Sequence, residues 1–318
     1  FYMNKAKDRK AYYPESIERL NKLEKDKAYE RVNKLSCVTP HLTREIKAYN
    51  KYELDEVWSS ALYFKRIPYS SSEDFSNKAI DKGASFISTP EVTNIISLDR
   101  QKLKRSVFLE KDDPFLIEFT KIAKKKSVWI LLGSIVIKDN KNKLYNRSYL
   151  INSKGNIQCK YDKIHMFDVK ISKKESYKES KIFKPGKKVV VTNTPWGKIG
   201  LSICYDLRFP ELYRKQVMMG AKLITIPSAF TTTTGKAHWH NLVKTRAIEN
   251  GSYVLAPAQY GKNSLKRHTY GHSLIVSPWG EILAEKKAGK GIIMASLDFK
   301  KLHKIRANIP SFRTQILK

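Results

Sequence analysis

The apolar positions of this chain change their rhythm near residue 74. Residues 1 to about 60 mix Lys, Glu, Tyr and Asn with little apolar periodicity, and the spacing there predicts one helix, from Pro14 to Lys34. Beyond Asp74, short apolar runs alternate with amphipathic stretches, the pattern of an α/β layered domain. A helix is predicted from Asp74 to Lys82, stopped by Gly83, and then a short strand from Phe86 to Ser88 that leads through Pro90 to Glu91. Asp113-Pro114 supplies an N-cap and a first-turn proline for a helix over Phe115 to Lys125. Val128 to Ile137 is apolar almost throughout, as a strand covered on both faces should be.

Tyr149 to Ile151 and Ile157 to Tyr161 flank Ser153-Lys154-Gly155, which predicts a hairpin with Lys163 just past its end. A second hairpin, Val189 to Val191 and Ile199 to Ile203 around Pro195-Trp196-Gly197, delivers Cys204. Helices from Pro210 to Met219 and from Ala237 to Asn250, the latter closed by Gly251, alternate with strands Leu223 to Ile226 and Tyr253 to Ala256. Ser273 to Val276 and Ile282 to Ala284 flank Pro278-Trp279-Gly280, an echo of the earlier turn that suggests two similar sheets. Glu91, Lys163 and Cys204 all fall at strand exits, where open α/β sheets place their sites.

Composition narrows the function. A chain of 318 residues with 41% hydrophobic content can bury a large core. No apolar run approaches the roughly 18 residues of a membrane span, and the first residues lack a signal-peptide pattern, so a cytoplasmic location without membrane attachment is expected. Cys37, Cys159 and Cys204 are too few and too scattered for a disulfide framework, and no His/Cys cluster suggests a metal. The net charge of +31 raises a polyanionic partner. Its lysines are spread along the chain and no nucleic-acid-binding motif accompanies them, so they read as a solvated surface and no specific nucleic acid is expected.

Cys204 ends an apolar strand and precedes a helix start rich in polar anchors, where N–H groups favour a thiolate and can hold an oxyanion. A buried structural cysteine is an equal reading of that one fact. A cysteine nucleophile needs a base and an oxyanion donor. His165, His238, His240 and His272 are open as bases, but none has a spacing that fixes a role, and Glu91 and Lys163 are the other candidates.

Several blocks together resemble the nitrilase superfamily of carbon–nitrogen hydrolases. They are Thr89-Pro90-Glu91, Tyr161 to His165, the run Gly200 to Glu211, Pro227 to Phe230 followed by Gly235 to Trp239, Arg246 to Asn250, Tyr270 to Ser273 and Pro278-Trp279-Gly280. The resemblance spans about residues 74 to 313 and implies a four-layer αββα sandwich. It implies Glu91 as base, Lys163 as oxyanion partner and Cys204 as nucleophile, supported by Glu179 and by the backbone N–H of Tyr205. It implies no metal or organic cofactor, and a homodimer.

The blocks are most similar to the branch of amidases acting on deaminated glutathione, with the omega-amidases as siblings. Both cleave amides of small 2-oxo acids that carry carboxylates. Arg208, His238, Trp239, Arg246 and Lys236 are the expected neighbours of such a substrate. The expected division is a divergent, poorly ordered extension over 1–65 and a carbon–nitrogen hydrolase domain over 66–318. Between Ala61 and the strand that ends at Ser88, Ala61 to Phe64 is the only other strand-like run, where the family pattern begins with an apolar strand and a long helix. An exchanged N-terminus on a decaying enzyme, or an extension that replaces the strand, would explain this. The alternatives to amide hydrolysis are therefore a catalytically silent scaffold of the same fold and a nitrile-hydrolysing variant.

Overall fold

The computed structural model describes residues 76–173, 175–264 and 267–312. The helix expected over Pro14 to Lys34, the run Ala61 to Phe64 and the extension over 1–65 lie outside the described residues. Helical residues 76–81 turn at Gly83 into β1 (Phe86–Ser88). Next come α1 (Arg100–Ser106), α2 (Pro114–Lys126), β2 (Trp129–Lys138), β3 (Leu144–Ile151) and β4 (Ile157–Asp162). Short strands β5 (Asp168–Lys170) and β6 (Ser176–Lys178) precede β7 (Val190–Thr194) and β8 (Gly197–Leu201). The chain continues through α3 (Pro210–Met218), β9 (Ala221–Thr225), α4 (Thr232–Asn250), β10 (Tyr253–Ala256), β11 (Tyr260–Ser264) and β12 (Arg267–Tyr270). It closes with β13 (Ser273–Val276), β14 (Ile282–Lys286) and α5 (Phe299–Asn308).

Two sheets form the centre. The first has the order β1-β2-β3-β4, with β1 parallel to β2 and the rest antiparallel. The second has the order β14-β13-β10-β9-β8-β7, with β8, β9 and β10 parallel. Leu131, Leu150 and Tyr161 of the first sheet share a core with Ile199, Leu201 and Leu223 of the second. On the outer face of the first sheet, Phe115, Phe119 and Ile122 of α2 pack on Ile130, Leu132 and Tyr149. Leu212, Tyr213, Val243 and Ala247 carry α3 and α4 onto the second sheet. The result is an αββα sandwich, and each such buried aliphatic or aromatic side chain contributes about 1.5–3 kcal/mol.

Local chemistry sets the boundaries. Asp113 caps α2 by accepting from the Leu116 N–H at 2.9 Å, with Pro114 in the first turn, as the sequence predicts. α4 begins at Thr232 rather than Ala237, because Thr231 caps it and accepts from the Thr234 N–H at 3.3 Å. The two Pro-Trp-Gly turns do not mark two sheets. They close the β7-β8 and β13-β14 hairpins at opposite edges of the same six-stranded sheet.

Candidate active site

Three strand exits meet between the sheets. Glu91 leaves β1 through Thr89-Pro90, and Val92 after it has φ 48°, a left-handed conformation that is an outlier for a β-branched residue. The strain is held from β2. That strand bulges, so that Gly133 and Ser134 both oppose Ser148 of β3. The Ser134 hydroxyl accepts from the Val92 N–H at 2.7 Å, and the Ser134 carbonyl accepts from the Thr93 N–H at 2.8 Å. Gly133 leaves room for the loops beside it: a Cβ there would lie 1.8 Å from the Thr89 carbonyl oxygen and 2.6 Å from Pro227 Cβ.

Glu91 is 3% exposed. Its Oε1 accepts from Asn146 Nδ2 at 2.9 Å and from Lys163 Nζ at 2.9 Å, while Oε2 is buried without an N–H or O–H partner. Burial pushes the carboxyl up, but the charge and hydrogen bond of Lys163, helped by the Cys204 thiol, outweigh it and hold the group below the usual carboxylate range. Lys163 follows β4 directly and is 2% exposed. It also meets Glu179 at 2.9 Å, and Glu179 Oε2 is fixed by the Phe167 N–H at 2.6 Å. Burial works against the ammonium, yet Glu179 and Glu91 raise its pKa well above that of an ordinary lysine.

Cys204 sits at φ 51° on the turn after β8, which costs of order 1 kcal/mol. Its N–H donates to the Pro227 carbonyl at 2.9 Å. Asp206 locks the following 3-10 turn, Cys204–Arg208: its carboxylate accepts from the Ile203 N–H at 2.8 Å, the Tyr161 hydroxyl at 2.7 Å and the His165 N–H at 3.0 Å. Burial pushes the thiol up, the Glu91 charge adds to this, and Lys163 opposes it. The resting pair is therefore a protonated thiol beside an ionised carboxylate.

Glu91, Lys163, Glu179, Cys204 and Tyr205 share one cavity of about 50 Å³. A larger cavity of about 890 Å³ runs along β1 and residues 291–297, and none of these five residues lines it. The residues expected around the substrate are placed differently. Arg208 stands at the rim, between the Tyr205 and Phe230 rings at 5.8 and 5.6 Å, with a terminal nitrogen 3.2 Å from Nδ1 of exposed His238. Lys236 is exposed on α4.

Trp239 is a packing residue behind Phe230, its Nε1 donating to the His272 carbonyl at 2.7 Å. Arg246 is buried beneath the turn, donating to the Leu207 carbonyl at 3.0 Å and to Glu249 at 2.8 Å, which removes it from the substrate's neighbours. His165 stacks on Phe209 at 3.6 Å and bonds Asp206. Among the described residues, His240, His272 and Glu285 form one cluster with metal-ligand spacing. It lies outside the cavity, and Glu285 Oε1 meets both imidazoles, at 3.0 and 2.6 Å.

Sequence reasoning missed Asn146, Ser134 and Arg267. Asn146 and Ser134 reach the site from strand interiors with no local signal. Arg267 lines the cavity from the start of β12, in a Lys- and Arg-rich stretch where nothing distinguished it.

Residues 68–307 match the family of sequences described as carbon-nitrogen hydrolases. The chain is 39% identical to a deaminated glutathione amidase of Dictyostelium discoideum over 74% of this chain and 84% of that one. It is 34% identical to the enzyme of the same name from Yersinia enterocolitica, over 73% and 82%. The crystal structure of Saccharomyces cerevisiae Nit3, a member of branch 10 of the nitrilase superfamily, superposes with a TM-score of 0.69 at 31% identity, covering 81% of this chain and 90% of that one. The Caenorhabditis elegans NitFhit protein gives a TM-score of 0.74 at 34% identity, over 78% of this chain but only 61% of that longer one. Among the described residues no helix is long and apolar enough to cross a membrane. Family match, curated relatives and fold all agree, and the chain belongs to the carbon-nitrogen hydrolases of the nitrilase superfamily, as a hydrolase acting on amide bonds other than peptide bonds.

Proposed function

We propose that this hydrolase cleaves the amide of a small carboxylated 2-oxo acid, of the deaminated glutathione type, through a thioester on Cys204. The observation that carries the reading is the convergence of the thiol with Glu91 and Lys163 in a buried cavity, one carboxylate oxygen having no N–H or O–H donor among the described residues. As Sγ attacks the carbonyl carbon, the thiol proton passes to Glu91. The tetrahedral oxyanion is held by Lys163 Nζ and the Tyr205 N–H, which lies in the first turn of the 3-10 helix and lacks an intrahelical acceptor. Protonated Glu91 then gives its proton to the leaving nitrogen. Water attacks the thioester, Glu91 takes its proton, and collapse returns a proton to Cys204. Glu179 keeps the Lys163 ammonium charged and oriented.

The substrate class rests on curated relatives named for deaminated glutathione. A cytoplasmic location and a homodimer belong to the same proposal, as does the division into an extension over 1–65 and a hydrolase domain over 66–318. Exposed Ile248 and Trp279 on the helix side of the six-stranded sheet offer apolar surface for pairing.

The test uses the purified chain and Cys204→Ala with deaminated glutathione and with 2-oxoglutaramate, following release of 2-oxoglutarate. Turnover lost in the variant is expected, and the better substrate identifies the branch. A folded wild-type chain that turns over neither compound would sink the proposed specificity.

A further inference from the structure

Arg306, Arg246 and Arg147 are saturated, and Arg214, which keeps one buried terminal nitrogen without a partner among the described residues, does not line the cavity of Cys204. Arg306 donates to the Gly251 carbonyl at 2.8 Å, the Ala221 carbonyl at 2.6 Å and the Ser252 hydroxyl at 2.9 Å. Arg246 has a carbonyl and Glu249, and Arg147 is clamped by Asp162 and Glu110 at 2.6 and 2.7 Å. Arg267 is different. It forms part of the wall of the cavity that holds Cys204, yet among the described residues it makes one hydrogen bond, a terminal nitrogen donating to the Ala229 carbonyl at 3.1 Å. Its guanidinium lies over the Tyr177 ring at 5.9 Å, and its Nε is buried with no partner. Among the described residues, no carboxylate forms an ion pair with it.

Leaving a buried cationic N–H unpaired is costly, and at Arg267 that cost falls on the wall of the cavity. The charges of the cavity supply a reason. Glu91 and Glu179 against Lys163 leave one net negative charge where the scissile amide must sit. A substrate carrying its own carboxylate would be repelled there unless a further cation faced it. Arg267 is the cation at hand, because Lys163 is held by both glutamates and Arg208 stands outside the wall.

We propose that Arg267 is a substrate-binding residue that receives a carboxylate of the amide substrate through its remaining N–H groups, and so selects acidic amides over neutral ones. This rests on the amidase reading above and assigns its specificity to one side chain. A guanidinium matches a carboxylate in both charge and planar donor geometry, whereas a lysine at the same place offers charge alone.

Two measurements on the wild-type chain, Arg267→Gln and Arg267→Lys test it. In Arg267→Gln, kcat/KM for 2-oxoglutaramate falls about 30-fold, mostly through KM, as expected for one lost charge-assisted contact. Arg267→Lys retains part of the affinity. The second measurement needs no turnover: the rate of Cys204 alkylation by anionic iodoacetate is compared with that by neutral iodoacetamide. In Arg267→Gln this ratio falls about tenfold while the iodoacetamide rate holds within about twofold.

Unchanged KM and an unchanged ratio in Arg267→Gln would overturn the role of Arg267 while the amidase stood. A ratio that depends on Arg267 in a chain that hydrolyses no carboxylated amide would preserve the anion site and remove the amidase reading. Should Arg267→Gln fail to fold, Arg267→Lys decides through KM: a wild-type KM in that variant, with the fork geometry gone, counts against the assignment.

Discussion

Two carboxylates are buried to nearly the same degree and meet opposite fates. Glu91 is 3% exposed and Asp113 is 1% exposed, and burial pushes both upward. At Glu91 the Lys163 ammonium reverses the effect and keeps the group ionised. At Asp113 only the Leu116 and Phe115 N–H groups oppose burial, and the pKa is pushed up to about 6. At Asp113 backbone N–H groups do not offset burial, whereas at Glu91 a specific cation does. The proposed base and oxyanion donor are one device, since Lys163 keeps Glu91 charged while Glu179 and Glu91 keep Lys163 charged.

Breaking that device gives the largest expected effect. Lys163→Met removes the proposed oxyanion donor and leaves Glu91 with Asn146 and the Cys204 thiol. A loss of about 10³-fold or more in kcat/KM follows, and stability falls by about 3–5 kcal/mol because a buried charge loses its partner. The decisive readout is the pH profile of the residual activity. Lys163 lowers the Glu91 pKa, so its removal raises it, and the acid limb, which requires ionised Glu91, moves to higher pH. An acid limb that stays in place would mean that something other than Lys163 holds Glu91 ionised.

The next effect concerns the backbone that aims Glu91. Gly133→Ala drives a methyl group into the Thr89 carbonyl and Pro227, the two loops that carry the base and anchor the nucleophile turn. Backbone on both sides must shift, at about 2–3 kcal/mol in the range for overpacked positions. Chemical denaturation together with kcat measures it. Loss of kcat in the folded variant is expected, because Val92 and Ser134 move with the loop. Full kcat at reduced stability would show that the bulge supports the fold without aiming the base.

The contrast between the two carboxylates also marks what was legible in the sequence. Asp113 was readable as a cap because capping is local: an Asp-Pro pair before an apolar run. Glu91, Lys163 and Cys204 were readable at strand exits, and the family blocks narrowed their roles. What placed Glu91 in its working state was not readable. Asn146 and Ser134 lie in strands far along the chain and touch the loop only through sheet pairing and a bulge. Helix α1 was missed because Leu103 is its single buried residue, leaving no apolar stripe to detect. Arg246, expected near substrate, went under the turn because its guanidinium caps the Leu207 carbonyl, a contact 39 positions away that no spacing announces. Long-range pairing thus hid the supports of the site, while Arg267 stood undistinguished in a Lys- and Arg-rich stretch.

The smallest effect sharpens the comparison from the Asp113 side. Because its folded pKa is about 6 against an ordinary 3.8, the native chain keeps a proton that the unfolded chain gives up. The stability this group contributes is complete below about pH 4 and is lost as pH rises through about 6. Asp113→Asn preserves an oxygen for the Leu116 N–H and cannot ionise. The variant therefore gains on the wild type as pH rises, whatever fixed cost its buried amide adds. Between pH 5 and pH 7.5 the difference in unfolding free energy shifts in its favour by about 1 kcal/mol, readable from paired urea titrations. A difference constant across that interval would mean that Asp113 is ionised throughout without a cation beside it. In that case Lys163 would matter to Glu91 as a catalytic donor alone, and the coupling of base to oxyanion partner would lose its electrostatic half.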